Sequence, residues 1–182
     1  MKKLIIIGSI TIALVVIVAI IMRSYTKSFS PADMSVHEGN DLSIVVNYCR
    51  PFKKGREVFG GLVPFGEVWR TGANEPTTFS TNQSIKIKNQ VLEPGTYSLW
   101  TIPQQDTWTV IINSKIPGWG VKVPSGKANR DPENDVLKVD VPAIKTQDLF
   151  EQFTISFDQM NDELDMVMMW ENTLVVVPIQ TN

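Results

Sequence analysis

The sequence predicts an all-β domain, a β-sandwich of jelly-roll or Greek-key type with roughly ten strands, behind one N-terminal transmembrane helix. Three observations carry this. An unbroken apolar run begins at Leu4 and ends at Met22. Beyond it, apolar and polar residues alternate with period 2 almost to the C-terminus, the pattern of strands with one face on a core. Clusters rich in Gly, Pro, Asn and Asp separate the alternating stretches, as turns require.

The apolar run has 19 residues and no charge. At about 1.5 Å per residue it is roughly 28 Å long, close to the ~30 Å hydrocarbon core of a bilayer. It lacks the polar face of a helix packed on a globular domain. Two readings compete. A cleaved secretory signal, which would leave a secreted domain, has a basic start, a shorter apolar stretch and a small-x-small cleavage site. Lys2 and Lys3 supply the start, but the run ends in bulky Val18-Ala19-Ile20-Ile21-Met22-Arg23. An uncleaved single-pass anchor is therefore favoured. Lys2, Lys3 and the amino terminus face Arg23 and Lys27 across the span, a slight bias that puts the N-terminus in the cytoplasm and the domain outside. The chain divides into an anchor at 1–24, a linker at 25–32 and one domain at 33–182, an ordinary single-domain size.

Within the domain, Leu42, Ile44, Val46 and Tyr48 mark one strand, and Ile85 with Ile87 another. Further strands follow at Leu137, Val139 and Val141, at Phe153, Ile155 and Phe157, and at Leu164, Met166, Met168 and Trp170; a β-branched run at 174–179 closes the chain. Glu38-Gly39-Asn40-Asp41, Pro94-Gly95, Asn161-Asp162-Glu163 and Glu171-Asn172-Thr173 read as turns, the first and last as hairpin turns. Residues 146–152 read as one or two helical turns. Leu92-Glu93-Pro94-Gly95-Thr96-Tyr97 has the form of a tyrosine corner, in which the Tyr hydroxyl folds back onto upstream backbone. Two stretches, 50–71 and 117–132, are long Gly/Pro-punctuated loops, where function usually sits.

Charge removes some functions. Four of the 17 basic residues flank the apolar run, which leaves 13 against 19 acidic residues in the domain, a formal −6. That balance argues against nucleic acid as a partner, since phosphates require a basic face. One cysteine, Cys49, and one histidine, His37, exclude an internal disulfide and zinc sites built on Cys and His. No cofactor motif or phosphate-cradling Gly loop is present. Nucleophilic catalysis lacks parts, because Cys49 reads as a buried strand residue and His37 as an exposed one. Asp131, Glu133 and Asp135 have oxygen-ligand spacing for calcium, although a solvated acidic loop is the commoner case, and no metal site is assigned.

The densest constellation opens with Arg50-Pro51-Phe52-Lys53-Lys54-Gly55-Arg56 and closes with Trp69-Arg70-Thr71-Gly72-Ala73-Asn74-Glu75. It holds five of the domain's basic residues within 21 positions. Arg50, Arg56 and Arg70 read as donors to a small anionic or polyhydroxylated ligand, because a guanidinium presents a planar fork that keeps its charge when partly buried. Trp69 reads as a stacking surface, Asn74 as an orienting group and Glu75 as an acceptor. The alternative is that Arg70 and Glu75 pair with each other while Trp69 fills the core. Trp100, Trp108 and Trp170 lie in strand patterns and read as core, whereas Trp119, between Gly118 and Gly120, reads as a candidate carbohydrate contact. Glu75 and Glu171 each flank a Trp and would suit carboxylate chemistry if one cleft held both.

Three strings, Tyr48-x-Arg50-Pro51, Phe59-Gly60-Gly61-Leu62-Val63-Pro64-Phe65-Gly66 and Val68-Trp69-Arg70-Thr71-Gly72-Ala73-Asn74-Glu75, resemble the bacterial domain-of-unknown-function family 2911. The likeness extends through Gly95-Thr96-Tyr97-Ser98-Leu99-Trp100, Trp108 and Trp170-Glu171-Asn172-Thr173 to Ile179. It implies a β-rich extracytoplasmic domain of the cell envelope and no established activity, so no catalytic residue is carried over. Cys49, Pro76 and the loop at 116–132 depart from the family's pattern. The leading expectation is a binding module for a small polar or anionic ligand, or for an envelope partner, and not an enzyme. The rivals are a carboxylate-based sugar hydrolase or lyase, with Glu75 or Glu171 as base, and a structural assembly subunit.

Overall fold

The computed structural model describes residues 2–160 and 163–181. Helix α1 spans Lys2–Phe29. Nine strands follow: β1 (Ala32–Gly39), β2 (Leu42–Cys49), β3 (Thr77–Thr81), β4 (Ile85–Ile87), β5 (Gln90–Leu92), β6 (Gly95–Ile102), β7 (Thr107–Asn113), β8 (Asp135–Met160) and β9 (Glu163–Thr181). They form one antiparallel sheet in the order β1-β2-β3-β6-β7-β8-β9-β4-β5.

The sheet doubles over along β8. Residues 135–142 of β8 pair with β7 and residues 143–160 with β9, so one strand belongs to both layers. Both edges of the sheet return to it. The Tyr48 hydroxyl donates to the Ile155 carbonyl at 3.2 Å and accepts from the Ile155 amide at 3.0 Å. From β5, the Gln90 side chain donates to the Lys138 carbonyl at 2.6 Å. The space enclosed is filled by one apolar core, including Ile44, Val46, Phe79, Leu99, Val110, Val141, Met166 and Val177, all fully buried. Period-2 burial in β2 and β3 reproduces the alternation in the sequence.

The β1–β2 hairpin turns at Asn40 and Asp41, both at positive φ (49° and 62°), as a two-residue hairpin loop needs. The tyrosine corner is present: the Tyr97 hydroxyl donates to the Glu93 carbonyl at 2.9 Å.

Four expectations need correction. Residues 25–29, expected in a linker, continue α1; after Gly8 no Gly or Pro occurs before Pro31, which disfavours helical backbone at the residue before it. Residues 146–152 are strand and not helical turns: β8 bulges there, setting residues 146–149 against Asn172 alone between the pairs Lys145↔Thr173 and Phe150↔Glu171. Glu171-Asn172-Thr173 is no hairpin turn but the interior of β9 opposite the β8 bulge, with Glu171 at φ 56°. Strands expected as separate therefore fuse into β8 and β9, giving nine strands. Of the turn expected at Asn161-Asp162-Glu163, the first two residues lie outside the described residues, and Glu163 opens β9.

Helix α1 is long and apolar enough to cross a membrane, and none of its apolar span is buried against the domain. An apolar surface of that size is unfavourable in water and suits lipid.

Candidate functional site

The connection from β2 to β3, residues 50–76, is stitched down at both ends. Near its start, Lys53 N donates to the Glu151 carbonyl at 2.7 Å and Phe153 N to the Pro51 carbonyl at 3.0 Å. Near its end, Trp69 and Thr101 exchange backbone hydrogen bonds of 2.7 and 3.0 Å. Trp69 is thereby inserted among the core aromatics. It stacks on Trp170 at 5.9 Å and 20°, and meets Phe153 edge-on at 5.0 Å, while Phe59 meets Trp108 edge-on at 4.9 Å. Its indole N–H donates to the Gly72 carbonyl at 3.0 Å. The turn that follows has a strict steric demand. Gly72 has φ 148°, and a Cβ there would lie 2.9 Å from the Cys49 carbonyl.

The arginines of this loop have separate fates. Arg50 is fully engaged: Nε donates to the Phe153 carbonyl at 3.1 Å, Nη1 to Asp33 at 3.0 Å and Nη2 to the Thr154 hydroxyl at 2.8 Å. It ties β1, β2 and β8 together, with all three of its guanidinium nitrogens bonded inside the chain. Arg56 is exposed and folds over its own turn, donating to the carbonyls of Lys53 (2.9 Å) and Phe52 (2.5 Å). Arg70 is different. Its Nε is buried without a hydrogen-bond partner, and among the described residues it has no ion-pair partner. Burial pulls its pKa below the usual arginine value, with the Cys49 side chain acting weakly the other way. Arginine nonetheless keeps its proton in proteins.

Arg70 lines a cavity of about 480 Å³. Lys54 and Arg56 bring two more cations to its wall, Trp69, Trp170 and Phe29 give it aromatic surface, and among the described residues no carboxylate lines it. The indole N–H of Trp170 is, like Arg70 Nε, buried without a partner. A second cavity of about 360 Å³ shares Leu62, Val63, Trp69 and Arg70, so Arg70 stands in the wall common to both.

Asn74 and Glu75 serve the helix and not this cavity. Asn74 Nδ2 donates to the Ser30 carbonyl at 3.3 Å, capping the end of α1. Glu75 pairs with Arg23 at 2.5 Å and Lys27 at 3.3 Å, and not with Arg70. Burial raises the Glu75 pKa, but its own backbone N–H, Lys27 and Arg23 outweigh this and hold it below the usual value. Glu171 pairs with Lys53 at 2.6 Å, both side chains about 15% exposed. Burial raises its pKa too, and the hydrogen bond and charge of Lys53 more than offset it. The two glutamates that carboxylate chemistry would need in one cleft thus sit in separate ion pairs, neither on the cavity beside Arg70.

Cys49 is buried, 3.6 Å from Glu75, and burial raises its pKa, against an opposing hydrogen bond from Asn74. Asp131 caps the short 3₁₀ turn that precedes β8, and Asp135 holds Arg130 and Asn113. Among the described residues no group of acidic, His and Cys side chains has metal-binding geometry.

Trp119 is half-exposed and lines neither cavity; its carbonyl accepts from Asn129 at 3.1 Å. Its neighbour Gly120 is the residue that matters. Gly120 N donates to the Asn74 carbonyl at 3.1 Å. A Cβ at this position would lie 2.2 Å from Arg70 Cδ and 2.9 Å from that same carbonyl. The second loop therefore packs directly onto Arg70 through a glycine. Sequence reasoning also passed over Lys54 and Phe29 as cavity residues. Lys54 was visible in the basic cluster; Phe29 became a wall residue only because α1 runs on to it.

Fold and cavity together define a β-sandwich domain with one apolar N-terminal helix and a cation-lined, aromatic-walled cleft. Residues 30–179 match the profile of the family described as "Protein of unknown function (DUF2911)", and the chain belongs to that family. No curated protein matches the chain, and no solved structure does.

Proposed function

We propose that this protein is a membrane-anchored binding module, its domain outside the cytoplasm, that takes a small organic anion in the cavity beside Arg70. The observation that carries the reading is Arg70 itself: a guanidinium in a cavity wall, its Nε buried and unpartnered, with a second orphan donor on Trp170. An unsatisfied buried donor costs about 1–3 kcal/mol, more when charged. A carboxylate, sulfate or phosphate in the cavity would offset the unpaired charge of Arg70, and Lys54 and Arg56 favour the same sign of charge. The aromatic wall suits a ligand with an apolar body.

A hydrolase or lyase reading loses support, because Glu75 and Glu171 are each held as carboxylates by cations and neither faces the cavity. The proposed orientation rests on Lys2, Lys3 and the amino terminus against Arg23 and Lys27. A C-terminal reporter that matures only outside the cytoplasm would stay silent if the orientation were reversed.

Thermal unfolding of the full chain against a panel of carboxylates, sulfonates and phosphates tests the binding reading. Binding at 100 times Kd stabilises by about 2.7 kcal/mol, a readily measured shift. Arg70→Gln should abolish the shift without lowering the baseline melting temperature. A lowered baseline with no ligand shift in the wild type would make Arg70 a scaffold residue.

A further inference from the structure

We propose that the anion is a single-chain amphiphile drawn from the bilayer that holds α1; this rests on the binding reading above and adds the source and shape of the ligand. Two features of the cavity call for it. Phe29 and Leu62 belong to the cavity wall yet are 43% and 44% exposed, which gives the cleft an apolar lip. Beside that lip Lys54 Nζ sits 4.5 Å from the centre of the Phe29 ring, so cation and apolar surface are adjacent at the mouth. An acyl chain lying on Phe29 and Leu62 would direct a carboxylate or phosphate toward Lys54, Arg56 and Arg70.

The helix sets the height. Met22 is the last residue of the apolar run and Phe29 the last of α1. Seven helical residues at 1.5 Å each raise Phe29 about 10 Å above the hydrocarbon edge. The headgroup layer is itself roughly 5–7 Å deep, being half the difference between the ~30 Å core and the ~40–45 Å bilayer. The lip therefore stands just beyond the headgroups, within reach of a lipid that rises partly out of its leaflet. The volume, about 480 Å³, lies toward the lower end of the ~300–1,000 Å³ range for small-molecule pockets, which suits a segment of one chain and not two.

The test uses the full chain in phosphatidylcholine nanodiscs at mildly alkaline pH, with tryptophan fluorescence as readout. Bromine quenches indole on contact, and Trp69 and Trp170 both line the cavity. Three probes are compared: dibrominated stearate, its uncharged methyl ester, and water-soluble bromohexanoate. Saturable quenching by the stearate, little by the ester, and an affinity about 10-fold weaker or worse in Arg70→Gln would support the proposal. Should that variant misfold by circular dichroism, the surface pair Lys54→Gln with Arg56→Gln replaces it, with weaker binding again expected. Equal quenching by acid and ester would overturn the proposal, since it would report chain partitioning near the span. Arg70-dependent quenching by bromohexanoate alone would overturn it too and leave the binding reading standing. No quenching by either acid would overturn the proposal, and the ligand panel above then decides the binding reading.

Discussion

Arg50 and Arg70 occupy opposite ends of one loop and look interchangeable in the sequence, but the fold uses them in opposite ways. Arg50 bonds a carbonyl, a carboxylate and a hydroxyl on β8 and β1. Arg70 is the more deeply enclosed at its Nε and holds no partner there. A guanidinium bonded inside the chain at every nitrogen is part of the scaffold. One that is buried, charged and unmet is a standing cost to the folded state unless something from outside completes it.

Matched substitutions sharpen that contrast. Arg50→Met removes three hydrogen bonds and strands Asp33, so urea denaturation should show a loss of about 3 kcal/mol. The same change at Arg70 should leave stability within about 1 kcal/mol of wild type or raise it, because an apolar chain of similar length replaces an unpaired charge. Equal losses at both positions would break the distinction.

A smaller effect is expected with acid. Glu75 and Glu171 both have folded pKa values held below the ordinary carboxylate value. Their stabilisation is therefore complete above about pH 5 and is lost as pH falls through the depressed folded values. The Lys53–Glu171 pair is worth about 1 kcal/mol at most, given its partial exposure. The acid-induced fall in melting temperature should be shallower in Glu171→Gln than in wild type. An unchanged slope would show that Lys53 contributes nothing there.

How far the sequence could be read depended on what each residue answers to. Alternation in β2 answers to burial of its own side chains, and it was legible. So was the tyrosine corner, whose parts are local. The continuity of β8 was hidden by its bulges, which interrupt the period, and that of β9 by Glu171-Asn172-Thr173, which faces them and resembles a turn signal. The basic loop stood out by composition, yet which arginine would find partners depended on β1, β8 and α1, all distant in sequence. Glu75 lies five residues from Arg70 but bonds to Arg23 and Lys27. Gly120 carried no visible mark, because a glycine's role is set by the neighbour that approaches it.

The Arg50 clamp has a mechanical consequence. α1 leads through Pro31 directly into β1, an outermost strand whose first pair is Ala32↔Cys49. Any tug along the helix arrives at that end of the hairpin and would peel β1 from β2 one rung at a time, the weakest way to load a ladder. At that spot Arg50 N grips the Pro31 carbonyl at 2.8 Å, and the Arg50 side chain grips Asp33. Like the collar where a cable enters a plug, these contacts divert the load into β8, the one strand that both layers share.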